Sequence, residues 1–280
     1  MSNNQNKPIL PAHLEMGMVE LNVRDLSRIK NFYIDAVRLE ILEEKDNFLI
    51  LGRGKTSILK LVQTPHLNLP SSGSAGLYHI AIVFPSRSDL AKTLESIFEK
   101  YPESFQGSSD HKVSEAFYFT DPEGNGVELY FDKDRSIWEW KDGKVVMGSA
   151  YIDPNEFIIN NLKPGDIKEN LKMGHVHLRV GDIAKAKDFY VNILGFEITA
   201  ELPSALFVSA GGYHHHIGMN IWESSDAGMR GETLGLSNFT VEIGDKNMVE
   251  EISKNLKKSG HEYSLAKDIL HTSDLWGNII

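Results

Sequence analysis

Two stretches of this chain carry one pattern. Residues 19–33 read VELNVRDLSRIKNFY and residues 176–190 read VHLRVGDIAKAKDFY. A fold that uses the same local structure twice is far more constrained than one of arbitrary sequence. Alternation at Val19, Leu21 and Val23 predicts a half-buried strand, Asp25 a helix N-cap, and Ile29, Phe32 and Tyr33 one apolar helical stripe. The same opening recurs at Leu77–Phe84 before a helix-like run from Asp89 to Tyr101, and at Leu236–Ile243 before Asp245–Ser259. Strand-like runs follow these helices, including Phe48–Leu51, Ser57–Val62, Ala205–Ser209 and His216–Trp222. The unit is therefore strand, helix, then about three strands. Four copies begin near Met16, Gly76, Met173 and Leu234.

The units divide the chain into residues 13–132 and 173–280, two modules in each, joined by a segment over 133–172. That segment carries Trp138, Trp140, Pro154 and Pro164, a composition that packs rather than floats. Residues 1–12 are expected to form a disordered tail. With 280 residues, 41% apolar and 24% charged, the composition is that of a soluble globular protein. No spanning run and no secretory leader is visible, so the expected address is cytoplasmic and no membrane partner is expected. A net charge of −10 opposes nucleic-acid binding and favours a small organic substrate. Without cysteine there is neither a disulfide framework nor a thiolate site, and any metal must be held by nitrogen and oxygen.

Ser108–Glu128 reads SSDHKVSEAFYFTDPEGNGVE and sets His111, Tyr118 and Glu128 along two short strands joined by the turn Asp121–Asn125. The order His, five residues, Phe-Tyr, two residues, Asp-Pro-x-Gly, three residues, Glu resembles the signature of type I extradiol ring-cleavage dioxygenases of the vicinal-oxygen-chelate group, nearest to the catechol 2,3-dioxygenase branch. It departs from that signature at Ser109, where the family usually has Gly, Asn, Thr, Ile or Val. The resemblance implies an α+β fold, from Leu14 onward, in which four βαβββ modules form cups of mixed curved sheet with helices outside.

It also implies a ligand set: histidines on the first strands of two paired modules, and a glutamate on the last strand of one. Carried over residue by residue, these are His79 and Glu128 in the second module and His175 in the third. His177, on the same strand face as His175, is the rival ligand. The first and fourth modules have Met18 and Asn238 in the ligand register. A complete site then requires modules two and three to pair, whereas familiar two-domain relatives hold the working set within the C-terminal half. Two imidazoles and a carboxylate suit Fe(II), with Mn(II) as a substitute. Taken singly, His79 is an ordinary strand histidine, Glu128 a solvent-facing carboxylate and Asp121–Asn125 a favourable turn.

The family's active-site histidine falls at His215, with His214 and His216 as the neighbours that a register slip would select. The resemblance gives His215 the part of proton acceptor, Tyr118 that of donor to a substrate oxygen, and His111 a place lining the O2 or substrate side. Phe117 and Phe119 are expected in the core; the Met219 and Trp222 region either shapes the aromatic slot or, the favoured account, packs in the core. The implied reaction is Fe(II)-dependent extradiol cleavage of catechol, or a substituted catechol or hydroquinone, with O2. A glyoxalase-like metal-dependent isomerase or lyase, and a non-catalytic protein binding an aromatic compound or antibiotic, are the competitors. Self-association as a homo-oligomer is left open by the sequence.

Overall fold

The computed structural model describes residues 9–167 and 170–280. The tail expected over residues 1–12 falls mostly outside them, and Leu10 is buried in the main core. Module one comprises β1 (Glu15–Val23), α1 (Leu26–Asn31), β2 (Glu40–Lys45), β3 (Phe48–Arg53) and β4 (Thr56–Gln63). Module two comprises β5 (Gly76–Phe84), α2 (Arg87–Lys100), β6 (Phe105–Asp110), β7 (Ser114–Thr120) and β8 (Gly126–Asp132). The connecting segment holds the hairpin β9 (Trp140–Lys141) and β10 (Lys144–Val145), then α3 (Pro154–Asn161). Module three comprises β11 (Lys172–Arg179), α4 (Ile183–Lys187), β12 (Glu197–Leu202), β13 (Ala205–Ser209) and β14 (Ile217–Asn220). Module four comprises β15 (Gly235–Glu242), α5 (Lys246–Lys258), β16 (Tyr263–Ala266) and β17 (Ile269–Thr272).

Local chemistry explains the shared opening. Asp25 and Asp182 each accept a backbone N–H three residues on, from Arg28 and Lys185, and so start α1 and α4. The single helical stripe expected through Phe32 and Tyr33 is a short α-helix that widens into a π-helical turn over Phe32–Ala36, repeated at Asp188–Ile193. The wider turn lets the adjacent rings Phe32 and Tyr33, and likewise Phe189 and Tyr190, all be buried. In α2, Leu90, Leu94 and Ile97 form the apolar stripe that faces the sheet.

Sheet topology crosses the two sequence halves. One sheet runs β15-β1-β4-β3-β2 and joins module one to the first strand of module four. The other runs β12-β13-β14-β11-β5-β8-β7-β6, joining module three to module two through the antiparallel pair β11–β5. In modules one, two and three the first and last strands are parallel neighbours, so a helical crossover lies between them. Module four is abbreviated: β16 and β17 form a separate hairpin, and Ile279 meets Asn238 in a single parallel bridge. Among the described residues no helix is long and apolar enough to cross a membrane.

A pair of matching latches holds the last turn of module two, between β7 and β8, and its counterpart near the end of module four. The hydroxyl of Tyr33 donates to Asp121 at 3.2 Å, and that of Tyr190 donates to Asp274 at 3.0 Å. Each carboxylate also accepts two backbone N–H groups and one asparagine amide of its own turn, from Glu123 and Asn125 or from Trp276 and Asn278. Burial pushes both carboxyls above their usual range, and these donors recover part of that cost. The copies have diverged in a correlated way. The carboxylate of Glu123 accepts the backbone N–H of Arg24, whereas at the matching positions the Trp276 ring fits only because residue 181 is glycine, whose added Cβ would lie 2.6 Å from the indole nitrogen.

Removing either latch hydroxyl leaves a buried carboxylate short of one donor. Tyr33→Phe and Tyr190→Phe are each expected to lower stability by about 1–2 kcal/mol, measured by urea denaturation.

Candidate metal centre

At the seam between modules two and three, Ala81 on β5 has Glu128 of β8 as its Cα partner on one side and His175 of β11 on the other. His79 lies two residues back along β5 and therefore projects from the same face. Neighbouring strands are about 4.8 Å apart, so Glu128 and His175 reach towards each other across a methyl group and meet the His79 ring above it. The outcome is a tight group. Oε2 of Glu128 lies 2.9 Å from Nε2 of His79 and 3.2 Å from Nε2 of His175, and the three ligand-type atoms all fall within 4.8 Å of one another. All three residues are buried. Gly174, just before His175, is equally fixed, because an added Cβ would lie 1.8 Å from the Tyr130 hydroxyl oxygen.

Nε2 of His175 pairs with Glu128, but the other polar atoms of the two rings are not all satisfied. Nε2 of His79 is close to Glu128 but out of line for a hydrogen bond, and Nδ1 of His175 has no partner. Burial lowers the His175 imidazole to about 4, against the opposing pull of Glu128, so the ring is neutral at pH 7. Burial also acts to raise Glu128, but the two adjacent imidazoles outweigh it and hold the carboxyl well below its usual range. A buried carboxylate beside the neutral His175 ring keeps a charge that this ring does not offset. Two nitrogen donors, one carboxylate oxygen and an unspent buried lone pair fit a divalent cation of the first transition row.

These residues line or underlie a cavity of about 790 Å³. His111 and Tyr118 line it together, with Nε2 of His111 and the Tyr118 oxygen 2.6 Å apart. Nδ1 of His111 lies 2.8 Å from the carbonyl of Gly148, which can only accept, so the ring proton sits on Nδ1 and Nε2 accepts from Tyr118. The hydroxyl expected to serve a substrate oxygen is thus engaged with His111. His215 also lines the cavity. Its neighbours turn elsewhere: Nε2 of His214 lies 2.9 Å from Asp132, and Nδ1 of His216 lies 3.0 Å from the Ser209 hydroxyl. His177, the rival ligand, lines the wall and pairs with the Asn220 amide at 3.0 Å instead of joining Glu128.

Several contributors carry no clear signal in the sequence. Met147, Gly148 and Ser149 of the connecting segment roof the cavity, and the Ser149 hydroxyl meets that of Ser109 at 2.8 Å. A strap of this kind has no periodicity to betray it, although its bridge from Ala150 to Asp110 explains why the segment packs. Phe117, Phe119 and Met219 are core residues as expected. Trp222 is not. It is 51% exposed and stands at the cavity mouth, edge-on to Tyr78, because β14 ends at Asn220 and carries the indole past the sheet edge.

A family model described as Glyoxalase/Bleomycin resistance protein/Dioxygenase superfamily matches residues 15–129 and 172–266. Over 267 residues the chain is 34% identical to a Bacillus subtilis (strain 168) protein named Catechol-2,3-dioxygenase, covering 92% of this chain and 93% of that one. Among solved structures, a Bacillus subtilis subsp. subtilis str. 168 protein provisionally described as a dioxygenase superposes with a TM-score of 0.62 at 12% identity, covering 95% of this chain and 83% of that one. Glyoxalase I from Zea mays superposes with a TM-score of 0.55 at 14% identity, covering 95% of this chain and 90% of that one. These two likenesses concern the fold alone. The repeated modules, the cup they enclose and the match along both halves make this chain a member of the Glyoxalase/Bleomycin resistance protein/Dioxygenase superfamily.

Proposed function

We propose that this protein is an extradiol ring-cleaving dioxygenase that opens catechol, or a substituted catechol or hydroquinone, with O2, using Fe(II) held by His79, Glu128 and His175. The observation that carries this reading is the three-residue group at the base of a cup whose wall also presents His215, Tyr118 and His111. Bound there, Fe(II) would supply open coordination positions for a diol and O2, and a route for electron density between a singlet and a triplet reactant that are otherwise slow to combine. Mn(II) offers the same positions. The Bacillus subtilis relative's name agrees with this chemistry.

The chain's own residues supply proton management and orientation. His215 accepts a proton from the diol, which must ionise to chelate, and returns it as the ring opens. Burial keeps the His215 imidazole well below its ordinary range and therefore neutral and able to accept. Tyr118 donates to His111 in the resting arrangement, and transferring that hydrogen bond to a substrate oxygen exchanges one acceptor for another. Burial beside Glu128 raises the Tyr118 hydroxyl well above its usual value, so it keeps its proton and acts as a donor. Tyr78, Trp222 and Phe207 give the cup aromatic faces against which a planar ring can stack.

Reconstitution with Fe(II) under anaerobic conditions, followed by catechol or substituted catechols in air, is expected to give a yellow ring-opened product with one O2 consumed per diol. Neither colour nor oxygen uptake with any of these diols overturns the reading. His79→Ala and Glu128→Ala are each expected to weaken Fe(II) or Mn(II) binding by more than about 100-fold in calorimetric titration, beyond the loss usual for residues that merely orient a ligand. Ala81→Leu fills the space across which Glu128 and His175 meet, and is expected to abolish metal binding while the far-ultraviolet circular dichroism of the fold persists.

A further inference from the structure

Behind the cup wall runs a line of hydrogen bonds that the ligand set does not use. Glu128, Tyr130 and Asp132 alternate along β8 and share one face, so the strand that contributes the candidate metal carboxylate also contributes a second one. Oδ1 of Asp132 lies 2.9 Å from Nε2 of His214, and Oδ2 accepts from the Tyr213 hydroxyl at 2.8 Å. Tyr213 in turn accepts from Tyr130 at 2.7 Å, since its own proton is committed to Asp132. On the other edge of His214, Nδ1 lies 2.8 Å from Nδ1 of His215. His214 is buried, whereas the Asp132 side chain keeps 27% of its surface exposed.

The positions of two hydrogens follow. A carboxylate accepts and does not donate, so Nε2 of His214 carries its hydrogen towards Asp132. In this tautomer of His214 the lone pair is on Nδ1, and the hydrogen between the two Nδ1 atoms belongs to His215. The opposite tautomer of His215 would set two lone pairs face to face at 2.8 Å in a buried site, which forfeits a hydrogen bond and adds repulsion. With Nδ1 protonated, Nε2 on the far edge of the His215 ring is a bare acceptor, and that ring lines the cup.

We propose that Asp132, acting through His214, holds His215 in its Nδ1–H tautomer and thereby makes Nε2 the atom that accepts the substrate proton. The proposal rests on His215 being the proton acceptor of the reaction described above, and it adds two positioning residues, Asp132 and His214. Neither need touch substrate. Asp132 comes from module two and both histidines from the loop of module three that leads into β14, so the seam that assembles the metal group also sets the proton position on the base.

The test starts with long-range ¹H–¹⁵N spectra of histidine-labelled, metal-free protein. The expected result is a protonated Nδ1 and an unprotonated Nε2 for His215, with Asp132→Ala and His214→Leu each producing a mixture of tautomers. A protonated Nε2 on His215 in the unaltered protein overturns the proposal. In the iron-loaded enzyme, Asp132→Ala is expected to lower kcat roughly tenfold to hundredfold with KM changed less than about twofold. In a His215→Gln background the same change is expected to cost less than about twofold, because its effect passes through His215. A full tenfold further loss in that background would reveal a structural role and sink the idea. If the unaltered enzyme turns over no diol, the dioxygenase reading fails, while the tautomer spectra still decide the hydrogen-bond assignment.

Discussion

The antiparallel pairing of β5 with β11 decides more about this molecule than any other contact. It brings together a strand from each sequence half and puts His79 directly opposite His177, and Ala81 opposite His175. Because side chains alternate along a strand, slippage by one residue would turn His175 away from Glu128 and dissolve the group. The register is fixed from both sides. Buried Ile80, Ile82, Val176 and Leu178 face the core, and the close fit of Gly174 against Tyr130 leaves no slack along β11.

Around that seam the four modules are joined in a closed circuit. Strand pairing links module two to three and module one to four, while the Tyr33–Asp121 and Tyr190–Asp274 latches link one to two and three to four. Each module is therefore held by two neighbours through different chemistry, a backbone ladder on one side and a buried tyrosine–carboxylate contact on the other. The main apolar core, from Leu10 to Trp276, runs through the circuit and couples the two sheets. Among the described residues, only one of the two module pairs gathers a His–Glu–His group at its seam. In the other, Asn238 bonds to the Ser237 hydroxyl, which donates to Glu20, and a surface-type polar contact stands where the first pair gathers its imidazoles.

Much of this was legible in the sequence because it depended on repetition and alternation. The recurrence of V-x-L-x-V-x-D exposed the modules, and the distribution of His79, Glu128 and His175 over two of them implied the pairing that the sheets display. The choice of His215 over its neighbours followed from a family register; His215 lines the cavity wall, and its part as proton acceptor is a proposal. What escaped was contact between residues remote in sequence and unremarkable in type. Tyr33 and Tyr190 read as apolar stripe residues, and nothing local marks their hydroxyls as partners of Asp121 and Asp274. Asp132 read as the end of a module, and its bond to His214 exists only because the two halves meet. Trp222 read as core because hydropathy cannot tell a strand interior from the residue just past its edge.

The strap from Met147 to Ala150 has a consequence for how such a chain can vary. Connecting segments ordinarily absorb insertions and deletions with little effect. Here the Gly148 carbonyl selects which nitrogen of His111 is protonated, and the Ala150 bridge ties the segment to β6 at Asp110. Lengthening or shortening this linker by one residue would shift the carbonyl and release His111 from the tautomer in which it accepts from Tyr118. Its length is thus subject to the same selection as a strand of the cup, and descendants of this sequence should accumulate gaps elsewhere in the segment before they accumulate them there.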